Sequence, residues 1–140
     1  MTELTNDHFR KTLDQLSFNT QAIIGGKAVS ALSEKTFSTE NPATGKPLAD
    51  ITACQSEDVD RAVRAARQVF EKGDWSRRAP AERRRVLHRF ADLIEKNTLE
   101  LALLEALEAG KPISECVNTD IHETAECIRW HAEATDKLYD

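Results

Sequence analysis

Cys127 and His131 stand four residues apart, a spacing that puts a thiol and an imidazole on one face of a helix, with His122 and Cys116 nearby in sequence. Such a group suggests half of a metal site, or a nucleophile beside a base. A structural zinc takes four ligands, and Cys116 and Cys127 have neither the short loop nor the partner pair of a zinc pattern, so no metal ligand is assigned. Nothing orients His131 from its far side and no oxyanion hole is evident, so no catalytic residue is assigned either. The expected role of both Cys116 and Cys127 is that of a small buried hydrophobe. Carboxylates pair at Glu105 and Glu108, and again at Glu123 and Glu126. Without an environment that would separate an acid from a base, these read as solvated surface. Gly25, Gly26 and Lys27 resemble a phosphate loop only in composition, because no helix follows to aim amide groups at an anion. Catalytic, cofactor-binding and metal residues are therefore all expected to be none.

Composition narrows the class. The chain has 140 residues, 40% of them hydrophobic and 31% charged, which suits one domain or part of one with an ordinary soluble surface. Nineteen Lys and Arg against 24 Asp and Glu give a net charge of −5, which opposes nonspecific attraction to nucleic acid or an anionic membrane. No nucleic-acid and no membrane partner is expected. The first twenty residues lack the apolar core of a signal peptide and no later run is long enough to span a bilayer, so a cytoplasmic location is expected. Three scattered cysteines, Cys54, Cys116 and Cys127, fit reduced thiols better than a disulfide framework.

The elements that would position these residues come in a clear order. Residues 1–19 read as a flexible or weakly helical arm, with Phe9, Leu13 and Leu16 on one side. Ala22-Ile23-Ile24 and Ala28-Val29 flank the two glycines as a hairpin. A second hairpin turns at Asn41-Pro42-Ala43-Thr44-Gly45, with β-branched residues on either side. Ser56 would cap the next helix, whose apolar stripe is Val59, Ala62, Val63, Ala66 and Phe70, and Gly73 would end it. Pro80 opens a second helix with Val86, Leu87, Phe90, Ala91 and Ile94 on its stripe. Arg77, Arg78, Arg83, Arg84, Arg85 and Arg89 make that stretch a solvated face with some ion pairs. Asn97 and Glu100 have the form of a capping box for a third helix, which Gly110 closes. Pro112 opens a fourth, the longest, with Ile113, Val117, Ile121, Ala125, Ile128, Ala132 and Leu138 along one face. The chain stops inside this pattern at Asp140, which points to truncation.

Several of these segments carry a resemblance. Asn-Pro-Ala-Thr-Gly, Phe-Glu-Lys-Gly-Asp-Trp, Leu-Glu-Ala-Leu-Glu-Ala-Gly-Lys-Pro-Ile and Ile-Arg-Trp-His-Ala-Glu resemble, in the same order, the N-terminal part of the NAD(P)-dependent aldehyde dehydrogenase superfamily. Residues 70–75 and 128–138 look most similar to its bacterial branch acting on aminoaldehydes from polyamine breakdown. The resemblance implies an α/β enzyme of which residues 20–140 are an incomplete N-terminal part of the cofactor-binding domain. This piece itself is expected to be α+β, two N-terminal β-hairpins followed by about four helices.

The resemblance also implies the chemistry of the complete enzyme. A cysteine attacks the aldehyde, hydride passes to NAD or NADP, and a glutamate activates water to hydrolyse the thioester. The Pro-Trp-Asn segment, the glycine-rich cofactor loop, the base glutamate and the Gly-Gln-x-Cys motif do not occur in this sequence, and Cys54, Cys116 and Cys127 lie outside any such motif. This chain alone is expected to be inactive and to bind no cofactor. Its implied partner is the remainder of the aldehyde dehydrogenase polypeptide, in a homo-oligomer when complete. Some family members hold a structural monovalent cation, which here would involve Thr39 or Glu40 and Glu108. Leu101 and Leu104 lie off the main stripe of the third helix, so the isolated chain is expected to expose apolar surface and to self-associate. A different reading of the same residues is a self-standing helical interaction module derived from such an enzyme, pairing with a longer family member through its exposed helix faces.

Overall fold

Gly25 and Gly26 both have positive φ, 60° and 77°, the backbone of a two-residue turn whose twist matches the strands it joins. It connects β1 (Ala22–Ile24) to β2 (Lys27–Val29), antiparallel with Ala22 opposite Val29. In the computed structural model, which describes residues 6–137, a second hairpin follows. β3 (Thr36–Asn41) pairs with β4 (Lys46–Thr52), with a register shift between Thr39 and Glu40. The Asn41 side chain accepts a hydrogen bond from the Ala43 amide at 2.9 Å and so fixes the turn.

α2 (Ser56–Lys72) completes this part of the chain. The sequence suggests Ser56 as its cap, but the capping position is Gln55, and Ser56 is the first helical residue. Asp58 is the reason. Its carboxylate reaches back to accept the Gln55 amide at 3.1 Å, and it also accepts the Leu32 amide at 3.1 Å and Arg61 at 3.4 Å. Only 1% of Asp58 is exposed, so one buried carboxylate anchors both the helix start and the loop after β2. Gly73, with φ 81°, ends the helix by donating to Val69 and Phe70.

The chain divides into two compact units, of which Phe18–Arg78 is one. The other joins the N-terminal helix α1 (Asn6–Gln15) to everything from Ala79 onward, and α1 packs on α4 (Thr98–Ala109). α3 (Pro80–Lys96) has proline in its first turn, as its missing amide allows. The box suggested by Asn97 and Glu100 does not form. Asn97 instead turns its side-chain amide back to the Leu93 carbonyl at 2.7 Å, so it closes α3 and leaves α4 without a side-chain cap.

The fourth helix of the sequence reading is interrupted. After the short α5 (Ile113–Glu115), residues Cys116–Asp120 form a π-helical turn, and α6 (Ile121–Ala134) resumes the α geometry. Leu138, placed on the same stripe by spacing, lies outside the described residues. The π turn brings Cys116 and Ile121 onto Ala102 of α4 in one core cluster, with Ile94, Leu101 and Ala106 packed around it. α3 lies against α6, and Ala91, Ala125 and Ala132 on these helices are fully buried. Ion pairs reinforce the pairing. Arg129 of α6 meets Asp92 at 2.8 Å and Glu95 at 2.7 Å on α3, and His88 of α3 meets Glu133 of α6 at 2.8 Å, while Glu126 holds Arg129 from within α6 at 3.0 Å.

Gly110 has φ 71° and its amide donates to the Ala106 carbonyl at 3.1 Å, closing α4 in the left-handed conformation. Gly110→Val is therefore expected to cost roughly 1 kcal/mol or more, since a β-branched residue fits that conformation poorly. Urea unfolding checks this, with an unchanged midpoint as the contrary result.

Candidate functional site: a carboxylate-lined hollow beside the π turn

Because the π turn adds a residue to one helical turn, it carries Asp120 toward the start of α5, where Lys111 sits. The Lys111 ammonium donates to Asp120 and stands 3.7 Å from Glu105 of α4. Hydrogen bonding to Asp120 holds the Lys111 pKa above its ordinary value. Behind them lies Cys116, fully buried, whose thiol is pushed up chiefly by burial and then by Glu105 and Asp120. The ligand atoms of Glu105, Cys116 and Asp120 all lie within 4.8 Å of one another. A Cys and two carboxylates could in principle hold a cation, but the cation on two of these groups is the Lys111 ammonium. A protonated thiol is also a poor metal ligand.

Next to this cluster opens a hollow of about 480 Å³, lined by Glu105, Asp120, Glu123, Thr124, Cys127 and Ile128. Three carboxylates in its lining favour a positively charged guest. Glu123 is exposed and, among the described residues, no ion pair occupies its carboxylate. Cys127 also faces this space and is exposed, which corrects its reading as a buried hydrophobe. It falls on the solvent side of α6, whereas the turn geometry carries Cys116 inward.

The Cys127 and His131 pair is close, with Sγ and Nδ1 3.7 Å apart. Nδ1 is also 2.8 Å from the Cys127 carbonyl, a bond in which the imidazole must donate. A ring nitrogen that donates there cannot accept the thiol proton, so the pair has no base facing its nucleophile. His131 stands edge-on to Trp130, with centroids 4.9 Å apart. The structure does not bring His122 into the Glu105, Cys116 and Asp120 cluster. Glu126, one of the sequence-paired carboxylates, is taken by Arg129.

The remaining candidates fall elsewhere. Gly25 and Gly26 join two strands and so form a hairpin turn. Thr39 lies on β3 in the first-described unit, where its hydroxyl is buried without a hydrogen-bond partner, and Glu108 is an exposed residue of α4 in the other. Asp120 and Lys111 are site residues that the sequence reading missed. The only available signal was the Lys-Pro corner with an acidic residue eight positions after it, and that signal is too common to select them.

The family model described as the aldehyde dehydrogenase family matches residues 29–140. The aminoacetaldehyde dehydrogenase of Pseudomonas aeruginosa is 47% identical over 141 residues, covering 100% of this chain and 28% of its own length. The NADP/NAD-dependent aldehyde dehydrogenase PuuC of Escherichia coli is 48% identical, covering 89% of this chain and 25% of its own. Among solved structures, the indole-3-acetaldehyde dehydrogenase AldA of P. syringae, a mutant in complex with NAD+ and IAA, superposes with a TM-score of 0.93. It shares 43% identity over 99% of this chain, which spans 28% of that protein. The chain thus spans about a quarter of the length of the relatives it matches.

Proposed function

The chain belongs to the aldehyde dehydrogenase family, and from that premise we propose that it is the N-terminal scaffold of an enzyme oxidising an aminoaldehyde to the corresponding amino acid with NAD or NADP. The family's cofactor is NAD(P), and AldA was solved with NAD+. Oxidation itself belongs to the complete enzyme, and no step of it is assigned to residues of this chain.

What this chain would contribute to the reaction is substrate selection. The observation that carries the reading is the hollow, where Glu105, Asp120 and Glu123 converge. An aminoaldehyde is an aldehyde with an ammonium group, and the Lys111 ammonium against Glu105 and Asp120 shows that these carboxylates accept one. Glu123 is the carboxylate left for a guest. Aminoacetaldehyde is the substrate named for the P. aeruginosa relative, which supports the same class.

The test uses a chain extended to the relatives' full length. Glu123→Gln is expected to raise KM for aminoacetaldehyde roughly 2- to 5-fold while kcat stays near wild type, as for loss of one exposed charge contact. KM for acetaldehyde, which is neutral, should not move. Equal changes for both aldehydes would refute the aminoaldehyde reading. Failure of the full-length chain to reduce NAD or NADP with any aldehyde would refute the enzymatic one. The 140-residue chain alone is expected to show no turnover.

A further inference from the structure

Lys111 sits at the corner between α4 and α5, and its neighbours leave the backbone there little choice. Gly110 closes α4 at φ 71°, and Pro112, with φ −58°, caps α5. From such a corner a lysine on its flexible stem could reach into water, where an ammonium is best hydrated. Instead the Lys111 ammonium lies between Asp120, to which it donates, and Glu105 at 3.7 Å. The side chains of Glu105 and Asp120 are 35% and 23% exposed, so both carboxylates are partly withdrawn from solvent where they meet it. Both also line the hollow, together with Glu123. Of the three carboxylates there, the chain's own cation takes two, and Glu123 is left.

We propose that Lys111 is a specificity-determining residue, which occupies Glu105 and Asp120 as a tethered ammonium and so restricts the hollow to aldehydes bearing one ammonium group rather than two. The inference deepens the aminoaldehyde reading above and rests on it. Asp120 and Glu123 are three positions apart where the π turn runs into α6, a spacing that sets Cβ atoms roughly 5–6 Å apart on a helix. A guest with a second ammonium a few carbons from the first could therefore span them. Against Lys111 it gains little, because a tethered group acts at an effective concentration of about a millimolar or more, and the free guest must displace it. With Lys111 gone, Glu105 and Asp120 are open to that second charge.

The experiment uses this chain joined to the remainder of the P. aeruginosa relative. Aminoacetaldehyde supplies one ammonium, and its N-(3-aminopropyl) derivative supplies two. In the wild type the second ammonium is expected to lower KM by no more than about 2-fold. In Lys111→Met it should lower KM roughly 4- to 9-fold, as for two partly exposed ion pairs of roughly 2- to 3-fold each. Lys111→Arg, which keeps the cation, should keep the wild-type ratio of the two KM values. The same ratio in wild type and Lys111→Met overturns the proposal. So does an equal change of KM for both aldehydes, which is what loss of a purely structural contact would give. Should Lys111→Met fail to fold, Lys111→Gln, whose amide can still donate to Asp120, carries the same comparison. Turnover of acetaldehyde reads the enzymatic assignment, and Glu123→Gln reads the aminoaldehyde one, so their failure and the failure of this proposal are distinguishable.

Discussion

Ile121→Ala is expected to lower the unfolding free energy by roughly 2–5 kcal/mol, a large part of the usual domain margin of about 5–15 kcal/mol. Ile121 is only 7% exposed and stands where α6 resumes after the π turn. It shares a core cluster with Ala102 and Cys116, both at 0% exposure, and Ile94, Leu101, Ile113 and Val117 pack against that cluster, so a shortened side chain forfeits close contacts and leaves a cavity. Ile121→Val should cost roughly 0.5–1.5 kcal/mol by the same reasoning. Leu13→Ala, on a residue 45% exposed, should stay within about 0.5 kcal/mol. Urea titrations at constant slope check the series. A cost for Ile121→Ala no greater than that for Leu13→Ala would place the core elsewhere.

The second large effect is acid unfolding. Asp58 is held below the usual carboxylate range first by the Gln55 amide, then by the Leu32 amide and Arg61. Arg129 lowers Glu95, His88 lowers Glu133, and Lys137 with Arg84 lowers Asp136. In each case the folded pKa lies below the unfolded one. The stabilisation is therefore complete above the unfolded carboxylate pKa of about 4 and is lost as pH falls through the folded values. Circular-dichroism melts should show a plateau near neutrality and a steep decline below about pH 4. Asp58→Ala leaves the Gln55 and Leu32 amides without their acceptor, so it should lower Tm at pH 7 by about 5–10 °C. The difference from wild type should shrink toward pH 3, where the wild-type carboxylate is itself being protonated. A constant difference across this range would show that Asp58 acts only by its volume.

Local chemistry made much of the fold legible. The Gly-Gly hairpin, the Asn-Pro-Ala-Thr-Gly turn, Gly73, Pro80 and Gly110 each act where their backbone preferences say they should. The misread caps fail for one shared reason: a capping side chain can serve either of two neighbouring backbones. Asp58 reaches back past Ser56, and Asn97 serves the helix behind it rather than the one ahead. The π turn left a trace that is easy to pass over. Ile113, Val117, Ile121 and Ala125 follow at three successive intervals of four, whereas an α-helix of about 3.6 residues per turn would let such a row drift around its surface. A widened turn restores the phase. The hollow was not legible, because it depends on Lys111, Asp120 and Glu105 meeting across three elements, and no spacing along the chain encodes that meeting.

The two tryptophans divide between the two units. Trp75, on the wall of an apolar hollow beside α2, belongs to Phe18–Arg78, and Trp130, on α6 against His131, belongs to the other. The molecule thus carries one intrinsic fluorophore per unit. Trp130 is 69% exposed and Trp75 40%, so their emission should begin from different wavelengths, with the Trp130 spectrum already close to that of indole in water. With either one changed to Phe, the fluorescence of the other follows the melting of a single unit without any added label. The imidazole beside Trp130 also gives its emission a contact partner that Trp75 does not share.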